Sequence, residues 1–211
     1  EHAVVTPETN DSEVEKNDIF KSINQKDKLL GCFIETFTSK YNFNEFKEII
    51  PAEKAKAFND VMEESLKKSG LMKSYLDGIR VEAKKFLLAK EYEKGMSLIE
   101  NEIIQKGRAT DLDYGLQGDF YLMTKQYIKA EVAIKKAISM NATNIEHQLR
   151  LAHVYLFSDR VSDAKDIHKK YRSNNVSSSK SWVQATKEDF ENFKKNGLPT
   201  DDFKKILRIL E

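Results

Sequence analysis

Residues 111–178 are one pattern written twice. The stretch DYGLQGDFYLMTKQYIKAEVAIKKAISMNATN starts at Asp111, and IEHQLRLAHVYLFSDRVSDAKDIHKKYRSNNV starts at Ile145. At a constant offset of 34 residues, Gly118 meets Ala152, Tyr121 meets Tyr155, Tyr127 meets Val161, Ala130 meets Ala164 and Ala137 meets Tyr171. Within each copy the apolar residues recur at helical spacing in two runs, which predicts a helix–turn–helix unit. The small residues Gly118 and Ala152 sit mid-helix, where they let the partner helix come close. Ala130 and Ala164 do the same from the other side, and Tyr121 and Tyr155 fill the remaining space. One helix pair cannot bury its apolar face alone, so such units must stack and share a core.

A weaker copy lies upstream, where Ala83, Phe86, Tyr92, Gly95 and Ile99 repeat the spacings with Tyr92 35 residues before Tyr127. The extra residue is assigned to the loop Gly107-Arg108-Ala109-Thr110. On these residues the chain resembles the tetratricopeptide repeat family. It departs from that pattern at Ala142 and Val176, which replace the usual proline, and at His168, which replaces a large apolar residue. The resemblance implies an all-α, right-handed superhelical solenoid over residues 76–178, divided as 76–110, 111–144 and 145–178, with helical caps at both ends.

The flanks fit that expectation. Glu1–Asp18 holds six acids against Lys16 and has no periodicity, so it reads as a flexible acidic tether. Residues 19–75 form a helical N-terminal segment, either degenerate helix pairs or a cap. Its first stripe is Leu29, Leu30, Phe33, Ile34 and Phe37, followed by a short segment at Asn44–Ile50. The next helix starts at Pro51 and is closed by Gly70. Leu71–Lys90 is predicted as one long helix. After a loop at Ser173–Ser179, residues 179–211 read as a capping pair, with Ser181 and Thr200 as N-caps. Trp182 is expected to be buried near Tyr171 and His168, anchoring this pair to the last repeat.

Composition narrows the function classes. Three prolines and eight glycines in 211 residues favour helix throughout. The formal charge of +1, with lysines in separate doublets, argues against nucleic acid. The lone Cys32, in an apolar run, excludes an internal disulfide and reads as a buried structural thiol. No stretch approaches the ~18 consecutive apolar residues of a membrane span. The chain starts at Glu1, which leaves an exported, anchored or cytoplasmic origin open. No phosphate loop or zinc motif occurs. His147 and His153 are spaced to diverge around a helix, and adjacent acids such as Glu63-Glu64 point apart. The expectation is therefore no enzyme, no cofactor and no metal.

What the resemblance implies instead is binding of a partner protein in the groove formed by the first helix of each pair. Family geometry sends Lys84, Asp119 and His153 to that groove, and after them Leu87, Leu88, Leu122, Met123, Leu156 and Phe157. An apolar ladder with a polar fringe suits an amphipathic helix or an extended apolar peptide. The family's subclass that holds anionic peptide tails is not matched, since only Lys84 and Arg80 are basic and Asp119 opposes an anion. Three alternatives stand beside this one. Two are a groove filled by the chain's own N-terminal segment, and a homo-oligomer or larger assembly built through groove or cap. The third is an enzyme or ligand carrier of unfamiliar type, which a closed pocket holding convergent polar groups would mark.

Overall fold

The computed structural model describes residues 11–42, 46 and 50–211, with side chains from residue 24 onward. Among the described residues the fold is all-helical apart from one two-stranded ribbon. It divides into two compact units, Glu1–Asp77 and Gly78–Glu211.

In the first unit, α1 (Asp11–Lys40) packs on α2 (Pro51–Ser69). Helix α1 begins inside the stretch assigned to a tether, because Asp11–Asp18 is helical, whereas residues 1–10 lie outside the described residues. Most of Asn44–Ile50 lies outside them too. The α1 stripe is only half used. Leu29, Phe33 and Phe37 turn inward, and Phe33 packs on Phe58 at 4.8 Å between ring centroids, but Leu30 and Ile34 stay exposed. The fully buried seat belongs instead to Thr36, whose hydroxyl accepts a hydrogen bond from Lys68 at 3.3 Å. Cys32 is half-buried rather than buried. Pro51 opens α2, and Gly70 closes it in the left-handed conformation, as expected.

Helix α3 (Met72–Leu88) leads to α4 (Tyr92–Ile99), which runs on into a π-helical turn, Glu100–Ile104. Then come α5 (Asp111–Met123), α6 (Tyr127–Met140), α7 (Ile145–Phe157) and α8 (Val161–Tyr171). Neighbouring helices from α4 to α8 pack in sequence order. The turns inside the three helix pairs are copies of one another. Lys90, Lys125 and Asp159 adopt the left-handed conformation (φ 63°, 59° and 58°), 35 and then 34 residues apart. In each, the following N–H reaches back to a carbonyl five residues earlier: Glu91 to Phe86, Gln126 to Tyr121, Arg160 to Tyr155, at 2.8–2.9 Å. This is the closing hydrogen bond of a Schellman helix end.

The π turn corrects the placement of the extra residue. Tyr92, Gly95 and Ile99 align with Tyr127, Ala130 and Ile134 at an offset of 35, but Ile103 takes the buried place of Ala137 at 34. The offset therefore changes between Ile99 and Ile103, inside the helix and not in the Gly107–Thr110 loop. A π turn takes one more residue per turn, so Ile103 returns to the buried face. Close approach between helices is visible at Gly118 and Gly95. A Cβ on Gly118 would overlap Ile134, with the Ala130 carbonyl oxygen at 3.5 Å, and one on Gly95 would overlap the Phe120 ring.

Beyond α8, the predicted loop is a small antiparallel ribbon of β1 (Asn175–Ser177) and β2 (Lys180–Ser181), leading into α9 (Trp182–Lys195) and α10 (Phe203–Leu210). Ser181 caps α9 by accepting from the Gln184 N–H, whereas α10 is preceded by Asp202, not Thr200, with no side-chain cap. Trp182 is fully buried. Its indole N–H donates to His168 Nδ1 at 2.9 Å, and its ring stacks on Tyr171 at 5.3 Å. One apolar cluster then runs from Leu122 through Leu149, Trp182 and Phe190 to Leu210.

Candidate functional site

The last turns of α3 and α5 carry apolar doublets in register, Leu87-Leu88 and Leu122-Met123, 35 residues apart. Together with α7 and α9 they bound a cavity of about 230 Å³ in the second unit. Its apolar wall is Leu87, Leu88, Leu122, Met123, Leu149 and Phe193, with Ile134 contributed by α6. Its polar wall is Asp119, Glu146, Arg150, His153, Asp189, Asn192 and Asn196. Six of the positions named from the sequence thus meet at one place: Leu87, Leu88, Asp119, Leu122, Met123 and His153. Lys84 is exposed on α3 and acts on Asp119 through its charge, without lining the cavity.

Leu156 and Phe157 do not join them. Their register is equivalent, but the C-terminal helices cover them, and Phe157 packs edge-on against Phe193 and Phe203 at 5.1 and 6.1 Å. Both instead border a smaller cavity beside Pro199 and Asp201. An apolar doublet at the last repeat has the capping helices to pack on, whereas the earlier doublets keep part of their surface for the cavity.

Arg150 is the centre of the polar wall. Its Nε donates to both Asp119 oxygens at 3.0 Å, its Nη2 donates to Glu146 at 2.8 Å, and its Nη1 lies 3.4 Å from His147 Nδ1. Burial pushes the Asp119 carboxyl up, and Arg150 only partly offsets that. Asp189 has no such partner among the described residues, where His153 Nδ1 approaches it at 3.8 Å. Burial, and then the charge of Asp119, raise Asp189 to about 7. Its side chain is 39% exposed and lines the cavity. His153 is 2% exposed, edge-on to Phe193 at 5.0 Å, and its Nε2 has no hydrogen-bond partner among the described residues. Burial, with His168 and Arg150 nearby, holds it neutral by lowering its pKa well below the usual imidazole value.

Two other polar links tie successive repeats together outside the cavity. Arg80 donates through Nε and Nη2 to the two oxygens of fully buried Asp113, each at 2.8 Å. Burial pushes that carboxyl up, but the Arg80 and Thr110 hydrogen bonds pull it below the usual range. Arg80 is therefore committed to α5, not offered to an anionic ligand. Buried His147 lies with Nε2 2.8 Å from Asp111 Oδ2, so it too is structural. No group of three or more His, Cys, Asp or Glu side chains among the described residues is arranged to hold a metal ion. No described helix is long and apolar enough to cross a membrane.

Sequence reasoning missed Arg150 and Asp189. Arg150 carried a signal, since Glu146 precedes it by one helical turn and Asp119 lies one repeat earlier. Asp189 carried none, because it reaches the cavity only through the docking of α9. No protein-family model matches the chain, and comparison with curated proteins and with solved structures finds no match.

Proposed function

We propose that the chain is a protein-interaction module of the tetratricopeptide-repeat kind, which takes an apolar or amphipathic segment of a partner protein into this cavity. The observation that carries the reading is the convergence of Leu87, Leu88, Leu122 and Met123, from two successive repeats, on one opening bordered by polar side chains. Leu88 is 77% exposed there, so part of the apolar wall faces solvent. Apolar area of that kind, flanked by positioned polar groups, is how helix- and strand-binding grooves obtain affinity and orientation. The three matching left-handed turns support the repeat architecture behind it.

The test is a selection of displayed random peptides on the purified chain, with each selected peptide then measured against Leu88→Glu. Because Leu88 is so exposed, the substitution should leave the melting temperature within about 2 °C, as for surface changes generally. Affinity should fall at least about tenfold, the loss of one apolar contact plus a desolvated charge. Peptides bound equally by both proteins would overturn the reading.

A further inference from the structure

The polar wall of the cavity holds three carboxylates, Asp119, Glu146 and Asp189, and one guanidinium, Arg150. That guanidinium already donates to Asp119 through Nε and to Glu146 through Nη2. An incoming anion would face three acids against one guanidinium that two of them already engage. The surplus sits on Asp189, which accepts no hydrogen bond among the described residues. The ring beside it, His153, is almost wholly buried and lines the same cavity with its Nε2 unpartnered. A buried polar atom without a partner is costly, and one beside a carboxylate that accepts no hydrogen bond marks where a ligand's donor is missing. The flanking leucines and methionine fix the rest of the ligand as apolar.

We infer that the segment taken up here presents a lysine or arginine, whose cationic head docks on Asp189 and His153 while its apolar neighbours lie on Leu87, Leu88, Leu122 and Met123. The inference rests on the peptide-binding reading above and names the chemistry of the peptide. Lysine and arginine fit for a physical reason. Each carries an apolar stem that can lie along the leucine wall and ends in several N–H donors, enough for a carboxylate and a neutral imidazole nitrogen together. Docking also restores the charge of Asp189. The groups that act on that carboxyl are Asp119 from α5, Glu146, Arg150 and His153 from α7, and Lys180 from β2. With burial they leave it titrating at about 7 in the empty cavity. A cation at hydrogen-bonding distance reverses that direction.

The same peptide selection decides the matter when it is run on the native chain and on Asp189→Asn in parallel. The native chain should enrich peptides with one Lys or Arg beside Leu, Met or Phe. Replacing that base by norleucine should weaken binding at least about tenfold, as one charge-assisted hydrogen bond implies. Asp189→Asn, which removes no hydrogen bond of the fold, should keep its melting temperature and bind the basic and norleucine peptides alike. Affinity for the basic peptide should rise between about pH 6 and pH 8 in the native chain, as Asp189 ionises, and stay flat in Asp189→Asn. Selected peptides that depend on Leu88 but carry no basic enrichment, or an acidic one, would overturn the cation inference and leave the groove standing. Peptides indifferent to Leu88→Glu would overturn both.

Discussion

At the scale of single residues, buried polar pairs decide which helices stay together. His168 holds a position that is apolar in the resembled pattern, and the structure shows what it does there: Nδ1 accepts the Trp182 indole N–H. That acceptor role requires an uncharged ring, and burial lowers the His168 pKa to about 4. In the unfolded chain the same imidazole titrates near 6.5. Between these values the unfolded state binds the extra proton, so stability is intact above pH 6.5 and is lost as pH falls toward 4. The full loss is about 3 kcal/mol, and a melting series across that window checks it. Trp182→Ala should cost about 3–5 kcal/mol and loosen α9 first, as read by amide exchange. Gly118→Ala pits two effects against each other. Alanine gains about 1 kcal/mol of helix propensity, but its methyl meets Ile134, and overpacking of about 1–3 kcal/mol wins. The variant should melt lower, and Ile134→Ala should cost less in that background than in the native chain, the difference in the double-mutant cycle reading the clash.

At the scale of elements, the turns and the π segment set the register of everything that follows. Lys90, Lys125 and Asp159 hold left-handed backbone that side chains disfavour by about 1–2 kcal/mol. Replacing each by glycine should therefore raise stability by a few tenths to about 1 kcal/mol per site, roughly additively, since the three turns lie in different helix pairs. A denaturant midpoint that fell in all three would show that the side chains themselves hold the turns. The π turn gives a sharper test. Deleting exposed Asn101 should convert Glu100–Ile104 to regular α-helix and keep Ile99 and Ile103 both buried. Deleting Lys136 from α6 should rotate Ala137 off its buried face by about 100° and unfold that pair. Circular dichroism melts of the two deletion variants compare them directly.

At the scale of the whole molecule, the second unit is held by a cluster that grows toward the C-terminus, where Trp182, Phe190, Phe193, Phe203, Ile206 and Leu210 close it. Phe190 and Phe203 stack at 4.0 Å, so α9 and α10 pack as a pair over Phe157. A repeat stack needs such an end, because its last apolar face is otherwise wet. A chain ending at Ser179 should accordingly lose cooperative melting, bind a hydrophobic dye and associate, in contrast to the full chain.

The sequence by itself determined the helices, the pairing of small residues across them, and the repetition that sends Leu87, Leu122 and their neighbours to one side. These are local or periodic properties: helical spacing and a constant offset survive without knowledge of what packs where. It misread the extra residue of the upstream copy as loop because a π turn leaves the buried pattern intact and shifts only the count. It also set Leu156 and Phe157 beside the other doublets, since periodicity alone does not tell which copy is the last. Only the tertiary structure decided that α9 and α10 cover that copy, that Arg150 binds Asp119 across one repeat, and that Asp189 lines the cavity without a counter-ion among the described residues. Those facts depend on contacts between residues 30 to 70 positions apart, as in Asp119 with Arg150 and with Asp189. Electrostatics in a cavity depends on which charges are left over after such contacts form, and no period in the chain records that remainder.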